Sequence, residues 1–482
     1  MEHPNTIEFG TDGIRGVAGV FPLDPITVLR IGRAIGQWLS AQVQGAPSVL
    51  IGRDTRLSGD MLASALTAGL LAQGVQVADT GVISTPGVAF LTKQGGFGLG
   101  IVISASHNPF EQNGIKLFGA DGFKLPDAAE EAIEALIAAQ TDSTPSAPTL
   151  GTCQLLNARN IYVKHLVESL PAQALQGLSV VLDCAHGAAF SVAPQAFAEC
   201  GATVFVLNAE PNGVNINVNA GSEHVRRDRS AMLAMLRANN ADLGIAFDGD
   251  ADRVICVTTD GMLIDGDHML GMLAVALQER GQLAGESVVA TEMSNSGLAD
   301  YLAAHGIALS RTKVGDRYVM ERLREGLFTL GGEQAGHIII LDGVHGAGDG
   351  IYVGLLMAAL AAARKAKGLG SLSAIATQIP RYPQVIASAH LKARVDLATV
   401  EGLAEAVEAV HALFEHSGRV NLRFSGTEPN LLRAMVEGGA KNTMQQVIES
   451  ALRLCGMVAA ASGTENPTID IVDCVSGEPI HL

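Results

Sequence analysis

Apolar residues fall into short runs along this chain, and one alternation of elements recurs three times. Three stretches open with an apolar run suited to a strand covered on both faces: SVLIG (48–52), SVVLD (179–183) and SVVAT (287–291). After each comes a loop of polar or small residues, a segment of helical period that stops at glycine, and a second strand. The helix ends read LLAQGVQVAD around Gly74, AFAECGATVFVL around Gly201 and LAAHGIALSR around Gly306. Glycine just past a helix, followed at once by alternating apolar residues, marks the C-cap and return strand of an α/β unit. The three glycines lie too far apart for a solenoid repeat, so the pattern predicts three related mixed-sheet α/β domains.

Changes in composition set the borders. AAQTDSTPSAPTLGT (138–152) is small, polar and proline-bearing and reads as a linker. ARKAKGLGSLS (363–373) closes an apolar helix. With further borders set at 256/257 and 460/461, the chain divides into units at 1–150, 151–256 and 257–368, a smaller C-terminal α+β unit at 369–460 and a tail at 461–482 with no assigned role. The fourth unit carries LAEAVEAVHALFE, an amphipathic helix, then GRVNLRFSGTEPNLLRAMVEG, which predicts strand, loop and strand. The longest apolar run, IYVGLLMAALAAA (351–363), falls short of the about 20 residues of a bilayer span and follows Asp349, a suitable N-cap. It predicts a buried helix.

Charge narrows the ligand. Among 482 residues, 49 acids face 32 Lys and Arg, a formal net charge of -17, with no long basic run. Nonspecific binding to nucleic acid or to an anionic membrane is not expected, and an anionic ligand must meet a local basic cluster. The six cysteines show no paired spacing, which suits free thiols in a reducing cytoplasm. MEHPNTIEFG lacks the basic and apolar regions of a signal peptide. Oligomeric state is not legible, a homodimer being among the arrangements left open.

Five stretches carry candidate chemistry. In ISASHNPFEQNGIK (103–116) an apolar strand runs into Ser104, Ser106 and His107 at a carboxyl strand end, where ligands sit in open α/β sheets; a turn with a helix cap reads the same way. Adjacent Ser and His without G-x-S-x-G do not make a hydrolase triad. In ADLGIAFDGDADRVICV, Asp248, Asp250 and Asp252 alternate between two apolar strands. Three acids so close repel unless a cation neutralises them, and oxygen-only ligands favour Mg²⁺; a solvated acidic turn is the plainer alternative. Arg253 and Thr259 stand where a calcium EF-hand needs Gly and Glu. NLRFSGTEPNLLR offers Arg423, Ser425, Gly426, Thr427 and Arg433 as a phosphate grip, or a hairpin turn with flanking arginines. LGGEQAGHIII holds Glu333 and His337, and FGTDGIRGVAG holds Arg15 in a glycine-rich loop. No complete G-x-G-x-x-G and no Gly-Lys pair is present, so the usual signals for dinucleotide and P-loop nucleotide binding are missing.

Taken in order, SASHNP, DGDADR, GEQAGH and RFSGTEP resemble the signature loops of the α-D-phosphohexomutase superfamily, one on each of four successive units. Within it the resemblance is strongest to the branch acting on glucosamine phosphates, through FGTDGIRG, IGRDTRLSG, DCAHGAA, GVNINVNAGS, MSNSGL and KVGDRYVMERL. The resemblance implies three α/β domains and a phosphate-binding C-terminal domain around a central cleft. It also implies interconversion of glucosamine 6-phosphate and glucosamine 1-phosphate, through a 1,6-bisphosphate, for UDP-N-acetylglucosamine and cell-wall precursor synthesis. By the same resemblance Ser106 carries a phosphoryl group and joins Asp248, Asp250 and Asp252 in holding one Mg²⁺. His107 and Lys116 become candidates for proton transfer or charge stabilisation, and Arg15 and Arg253 for holding the transferred phosphoryl region. Glu333 and His337 become candidates for sugar binding, and Arg423, Ser425, Gly426, Thr427 and Arg433 for the phosphate that does not react.

Three positions depart from the family pattern: Ala335 where serine is usual, Ala251 where glycine is more frequent, and Arg433 one residue later than the pattern places it. Rival readings are phosphomannomutase or phosphoglucomutase on the same machinery, a sugar-phosphate sensor without catalysis, and a haloacid-dehalogenase-like use of Asp248. The last wants Thr or Val where Asp252 stands.

Overall fold

A computed structural model describes residues 7–10, 12–140, 149–425, 428 and 430–481. The first sheet takes Ile14–Val17, Ser48–Arg53, Gln76–Val82, Leu99–Ile103, Gln112–Gly119 and Cys153–Leu155 (β1 to β6) in the spatial order β1-β5-β4-β2-β3-β6. Ser179–Asp183, Thr203–Leu207, Leu243–Phe247, Val254–Thr258 and Leu263–Ile264 (β7 to β11) form the second, ordered β11-β10-β9-β7-β8. Ser287–Thr291, Ala308–Thr312, Leu330–Gly332 and Ile338–Ile340 (β12 to β15) form the third, ordered β13-β12-β14-β15. The fourth is antiparallel throughout and joins Gln384–His390, Arg419–Phe424, Leu431–Glu437, Ile469–Asp473 and Pro479–Ile480 (β16 to β20) as β17-β18-β16-β19-β20.

One kernel repeats in the first three sheets. The opening strand lies between two parallel partners, and the later partner is closed by an antiparallel return strand: β3-β2-β4-β5, β8-β7-β9-β10 and β13-β12-β14-β15. The opening strands β2, β7 and β12 are the three apolar runs expected to start each unit. Their helices end alike. Gly74, Gly201 and Gly306 all have positive φ (78°, 100° and 72°). In each case the next amide reaches back five residues, Val75 to Leu70, Ala202 to Phe197 and Ile307 to Leu302, at 3.2, 3.1 and 2.9 Å. This is the Schellman closure that a left-handed glycine permits.

The repeat positions chemistry. In each of the first three domains the loop entering the return strand is one of the signature stretches: residues 104–111 before β5, 248–253 before β10 and 333–337 before β15. The fourth stretch lies between β17 and β18. One continuous apolar core runs from Leu50 and Val102 through the second and third domains to Ile379, while the fourth domain keeps a separate core around Val436 and Leu454. The apolar run at 351–363 lies in a largely buried helix, Gly350–Ala366, whose N-cap Asp349 accepts from the Tyr352 amide at 2.9 Å. No helix of the described residues is long and apolar enough to cross a membrane.

Two borders and the tail differ from expectation. Cys153–Leu155 pairs with β3 and belongs to the first sheet, and Leu263–Ile264 pairs with β10 and belongs to the second. The tail contributes β19 and β20 to the fourth sheet, with Val385 opposite Asp473. Strands of two or three residues, as β6, β11 and β20 are, leave no period to read. Part of the expected linker, 141–148, lies outside the described residues.

Candidate active site

β4 ends at Ile103, and the chain turns sharply into the loop that begins at Ser104. Ser104 is buried; its Oγ donates to Asp54 Oδ2 (2.6 Å) and accepts the amide of Ser106 (2.9 Å). Ser106 adopts a left-handed conformation, φ 53°. That backbone is costly for a residue with a side chain and survives only where surroundings enforce it. Its Oγ donates to Asp248 Oδ2 at 2.5 Å, so the loop of the first domain meets that of the second at the hydroxyl expected to react. His107 Nδ1 stands 3.4 Å from the same Oγ, a long contact between sequence neighbours.

β9 and β10 hold the acidic loop from both ends. Asp248, Asp250 and Asp252 are buried, and one carboxylate oxygen from each lies within 4.8 Å of the other two. The Oδ1 atoms of Asp250 and Asp252 are buried without a hydrogen-bond partner. Unpartnered buried carboxylate oxygens are costly, and a hard divalent cation resolves both that cost and the mutual repulsion, so the residues fit the expected Mg²⁺. Ala251 takes the left-handed conformation (φ 57°) that glycine would take freely, with its methyl group in the core.

Cations surround this cluster. Lys116 Nζ lies 3.0 Å from Asp250, 3.2 Å from Asp12 and 3.8 Å from Asp252. Burial works against its charge, but those three carboxylates outweigh burial and hold the ammonium above its ordinary pKa. Lys116 is therefore a fixed charge. Burial would raise Asp250, yet Lys116 and the Thr85 hydroxyl, 2.6 Å away, hold it below the usual carboxylate range. Asp248 goes the other way, raised by burial and then by Asp252 and Asp250. The Arg253 guanidinium and burial bring His107 down to about 4, so its imidazole is neutral at physiological pH.

A cleft of about 400 Å³ is lined by Arg253, Glu333, Ala335, His337, Arg423 and Arg433 among others. Arg253 faces Glu223 at 3.6 Å, and Arg15 pairs with Asp12. The Nε atoms of both arginines are buried without acceptors. Glu333 Oε1 accepts the amide of Gly315 at 3.2 Å, and His337 Nδ1 lies 4.0 Å from Asp252. Ser425 is turned to its own loop, its Oγ accepting the amide of Glu428 at 3.1 Å. Gly426 and Thr427 lie outside the described residues.

Sequence reasoning passed over several members. Lys124 bridges Asp12 of the first domain and Asp316 of the third, 2.6 Å from each, and so ties the two across the cleft. Asp12 sits in FGTDGIRG and Asp316 in KVGDRY, so both motifs were in view while their charges were not assigned. Arg56, Asp54 and Asn217 engage the Ser106 loop. The only sequence signal for them was their place in IGRDTRLSG and GVNINVNAGS.

Four family models match in chain order: phosphoglucomutase/phosphomannomutase alpha/beta/alpha domain I at residues 6–144, domain II at 160–261, domain III at 265–382, and the C-terminal domain at 389–454. A phosphoglucosamine mutase of Methylobacillus flagellatus is 43% identical over 459 residues, 94% of this chain and 99% of the relative. One from Nocardia farcinica is 45% identical over 450 residues, 89% and 94% of the two chains. Among solved structures, a phosphoglucomutase/phosphomannomutase family protein of Burkholderia thailandensis superposes with TM-score 0.79 at 26% identity, covering 97% of this chain and 100% of its own. The Aspergillus fumigatus N-acetylphosphoglucosamine mutase, solved with GlcNAc-6P and magnesium, shares the fold with TM-score 0.65 at 16% identity, covering 95% and 97%. With four family models matched in chain order and relatives matched over nearly the whole chain, the chain belongs to the phosphoglucosamine mutase family of the phosphohexomutases.

Proposed function

We propose that the chain interconverts glucosamine 6-phosphate and glucosamine 1-phosphate through a phosphoserine at Ser106. The observation that carries the reading is the approach of Ser106 Oγ to Asp248 across the boundary between first and second domains, beside two carboxylates with unpartnered oxygens. Phosphoryl transfer asks mainly for positioning and for neutralisation of charge, and this corner of the cleft supplies both.

In the forward half-reaction the sugar's 1-hydroxyl attacks the phosphoryl group on Ser106. A bond from O1 to phosphorus forms, the bond from phosphorus to Oγ breaks, and the hydroxyl proton leaves to a base. His107 stands next to Ser106, serves as that base and hands the proton on to the departing Oγ. The bisphosphate then turns over in the cleft, Ser106 Oγ gives its proton to His107 and attacks the 6-phosphoryl group, the bond from phosphorus to O6 breaks, and O6 takes that proton from His107 as glucosamine 1-phosphate departs. Lys116, locked among carboxylates, stabilises charge without exchanging protons. Arg15 and Arg253 hold the transferred phosphoryl group, and Arg423 with Arg433 holds the one that does not react. Glu333, whose Oε1 accepts the Gly315 amide, receives the sugar's ammonium and hydroxyls, with His337 beside it. Asp248, Asp250, Asp252 and the phosphoserine would hold Mg²⁺, which would neutralise charge at the phosphoryl oxygens.

The six free cysteines, five of them buried, favour a reducing compartment, and we place the enzyme in the cytoplasm. The decisive experiment is intact-mass measurement before and after phosphatase treatment, with peptide mapping and an assay of glucosamine 1-phosphate formation. A phosphate on Ser106 whose removal abolishes turnover is expected. Active enzyme with phosphate on Ser104, or with none, would overturn the reading.

A further inference from the structure

Ser106 offers a second handle besides its hydroxyl: its carbonyl oxygen lies where three segments converge. From the first domain, Arg56 donates to it through Nη2 at 2.8 Å. Asn217 of the second domain donates to it through Nδ2 at 2.9 Å. The metal loop packs against it so closely that a Cβ added at Gly249 would sit 2.4 Å away.

The use of Arg56 is complete. Its Nε donates to Asp54 Oδ2 at 2.8 Å, and Nη2 also donates to the Asn108 carbonyl at 2.8 Å. Nη1 donates to the carbonyls of Gln112 (2.9 Å) and Pro109. A guanidinium has five N–H donors, and here four fall on backbone carbonyls between residues 106 and 112. The side chain is fully buried, so nothing of it is left for a phosphate. Asp54 completes the frame by accepting from Ser104 Oγ, which in turn receives the Ser106 amide. Asn217 adds a second bond to the loop at the Asn108 carbonyl (3.1 Å), and its own φ of 63° turns its amide toward the first domain.

We infer that Arg56 and Asn217 are positioning residues for phosphoryl transfer: between them they fix the Ser106 carbonyl, and through it the left-handed backbone that aims Oγ at the metal loop. The inference rests on Ser106 being the phosphoryl carrier. In-line transfer is steep in geometry, so loosening the carbonyl costs rate far more than affinity for the sugar phosphate.

Asn217→Gly is the cleanest variant, because glycine keeps the positive φ without strain and removes only the amide. Asn217→Asp places a carboxylate against two carbonyls, and Arg56→Lys keeps the charge beside Asp54 without the fork that spans the loop. Each variant is purified, loaded with glucosamine 1,6-bisphosphate, and its phosphoserine content read by intact mass. The rate of transfer to glucosamine 6-phosphate is then measured in a single turnover, alongside KM and Tm. For Asn217→Gly, single-turnover rate and kcat are expected to fall roughly 10-fold with KM and Tm near wild type, and for the other two variants roughly 100-fold. Arg56→Lys is allowed a lower Tm, which is why Asn217→Gly decides the matter. Phosphorylated wild type with an unchanged single-turnover rate in Asn217→Gly would overturn the inference alone, as would a loss matched by an equal change in KM and Tm. Wild type with no phosphate on Ser106 would overturn the functional reading and this inference with it.

Discussion

Arg423 and Arg433 stand directly opposite each other on β17 and β18, on a face that lines the cleft. Burial and then the facing Arg433 bring Arg423 below its ordinary pKa, while Arg433 finds Glu428 3.0 Å away at the exposed edge. Like charges directly opposite on a sheet destabilise it by up to about 1 kcal/mol. The register explains why Arg433, one residue later than the family pattern, still faces the cleft.

An anion between these two guanidiniums converts repulsion into two charge-assisted bonds. Inorganic phosphate is therefore expected to raise Tm. Arg423→Ala should raise KM for glucosamine 6-phosphate roughly 10- to 100-fold, the effect of losing a hydrogen bond to a charged group. Arg433→Ala should raise KM less, because part of its charge is spent on Glu428, and should raise the Tm of the ligand-free protein. Calorimetry with and without phosphate, beside steady-state kinetics, checks both; a lower Tm for ligand-free Arg433→Ala would count against the pairing.

Ser106→Ala should abolish mutase turnover, whereas Ser104→Ala should only reduce it. Ser104 is not idle, since it joins Asp54 to the Ser106 amide. Removing its hydroxyl leaves the buried Ser106 amide without its acceptor, while Asp54 keeps Arg56, at a cost of about 1–3 kcal/mol, which should lower Tm as well as kcat. Phosphopeptide mapping and melting curves on the two variants distinguish chemistry from support.

How much of this was legible varied with the kind of interaction. The three opening strands and their C-cap glycines are local patterns, and Gly74, Gly201 and Gly306 repeat one geometry because only a left-handed residue closes that turn. The Asp248 loop was legible because three acids between apolar strands have few other physical explanations. Lys124 was not: in DGFKL it reads as a surface lysine past a turn, and only docking of the third domain brings Asp316 to it. Arg56 and Asn217 were missed for the same reason, because their acceptors are carbonyls that no sequence pattern displays. In the tail, β19 escaped because its partner, β16, lies some 80 residues earlier, a pairing with no local signal, and β20 because two residues show no period.

Asp250→Asn should abolish turnover or raise the Mg²⁺ concentration required, since the amide loses the charge while keeping the shape beside Thr85 and Lys116. A chelator should remove activity and added Mg²⁺ restore it. Mg²⁺ should also raise the Tm of wild type more than that of the variant. Full turnover in excess chelator would reject the metal.

Acid should loosen the junction around His165. Its ring stacks on Phe90 of the first domain, with centroids 3.9 Å apart, and its Nε2 meets His345 Nε2 of the third at 2.9 Å. His345 Nδ1 in turn contacts Asp342 at 2.9 Å. Burial and then His345 bring His165 down to about 4 from an ordinary 6.5. Between those values the unfolded chain binds the extra proton and the folded chain does not, so stability is full above about pH 6.5 and falls as pH drops toward 4. His165→Asn should flatten the dependence of Tm on pH between roughly 7 and 5, against a wild type that loses Tm across the same window.

Substrate choice turns on Glu333 and Ala335, which line the cleft together. A serine at 335 could hydrogen-bond a sugar hydroxyl and alanine cannot; one neutral bond is worth about 0.5–1.5 kcal/mol, roughly 2- to 13-fold in affinity. That is too little to change the reaction. The carboxylate of Glu333 engages the Gly315 amide through Oε1, which leaves it able to face an ammonium that glucose and mannose phosphates lack. Glucosamine phosphate should therefore be preferred by kcat/KM, with a narrower margin than a serine-bearing relative shows, and Ala335→Ser should widen that margin or leave it unchanged. Glu333→Gln should lower kcat/KM for glucosamine phosphate more than for glucose phosphate, because the amide keeps the hydroxyl contacts and loses the charge. Measuring the three sugar phosphates on wild type and both variants decides between charge and shape: equal losses across the sugars in Glu333→Gln would remove the ammonium from the account, while a wild type that prefers mannose or glucose phosphate would reassign the substrate and leave the phosphoserine chemistry intact.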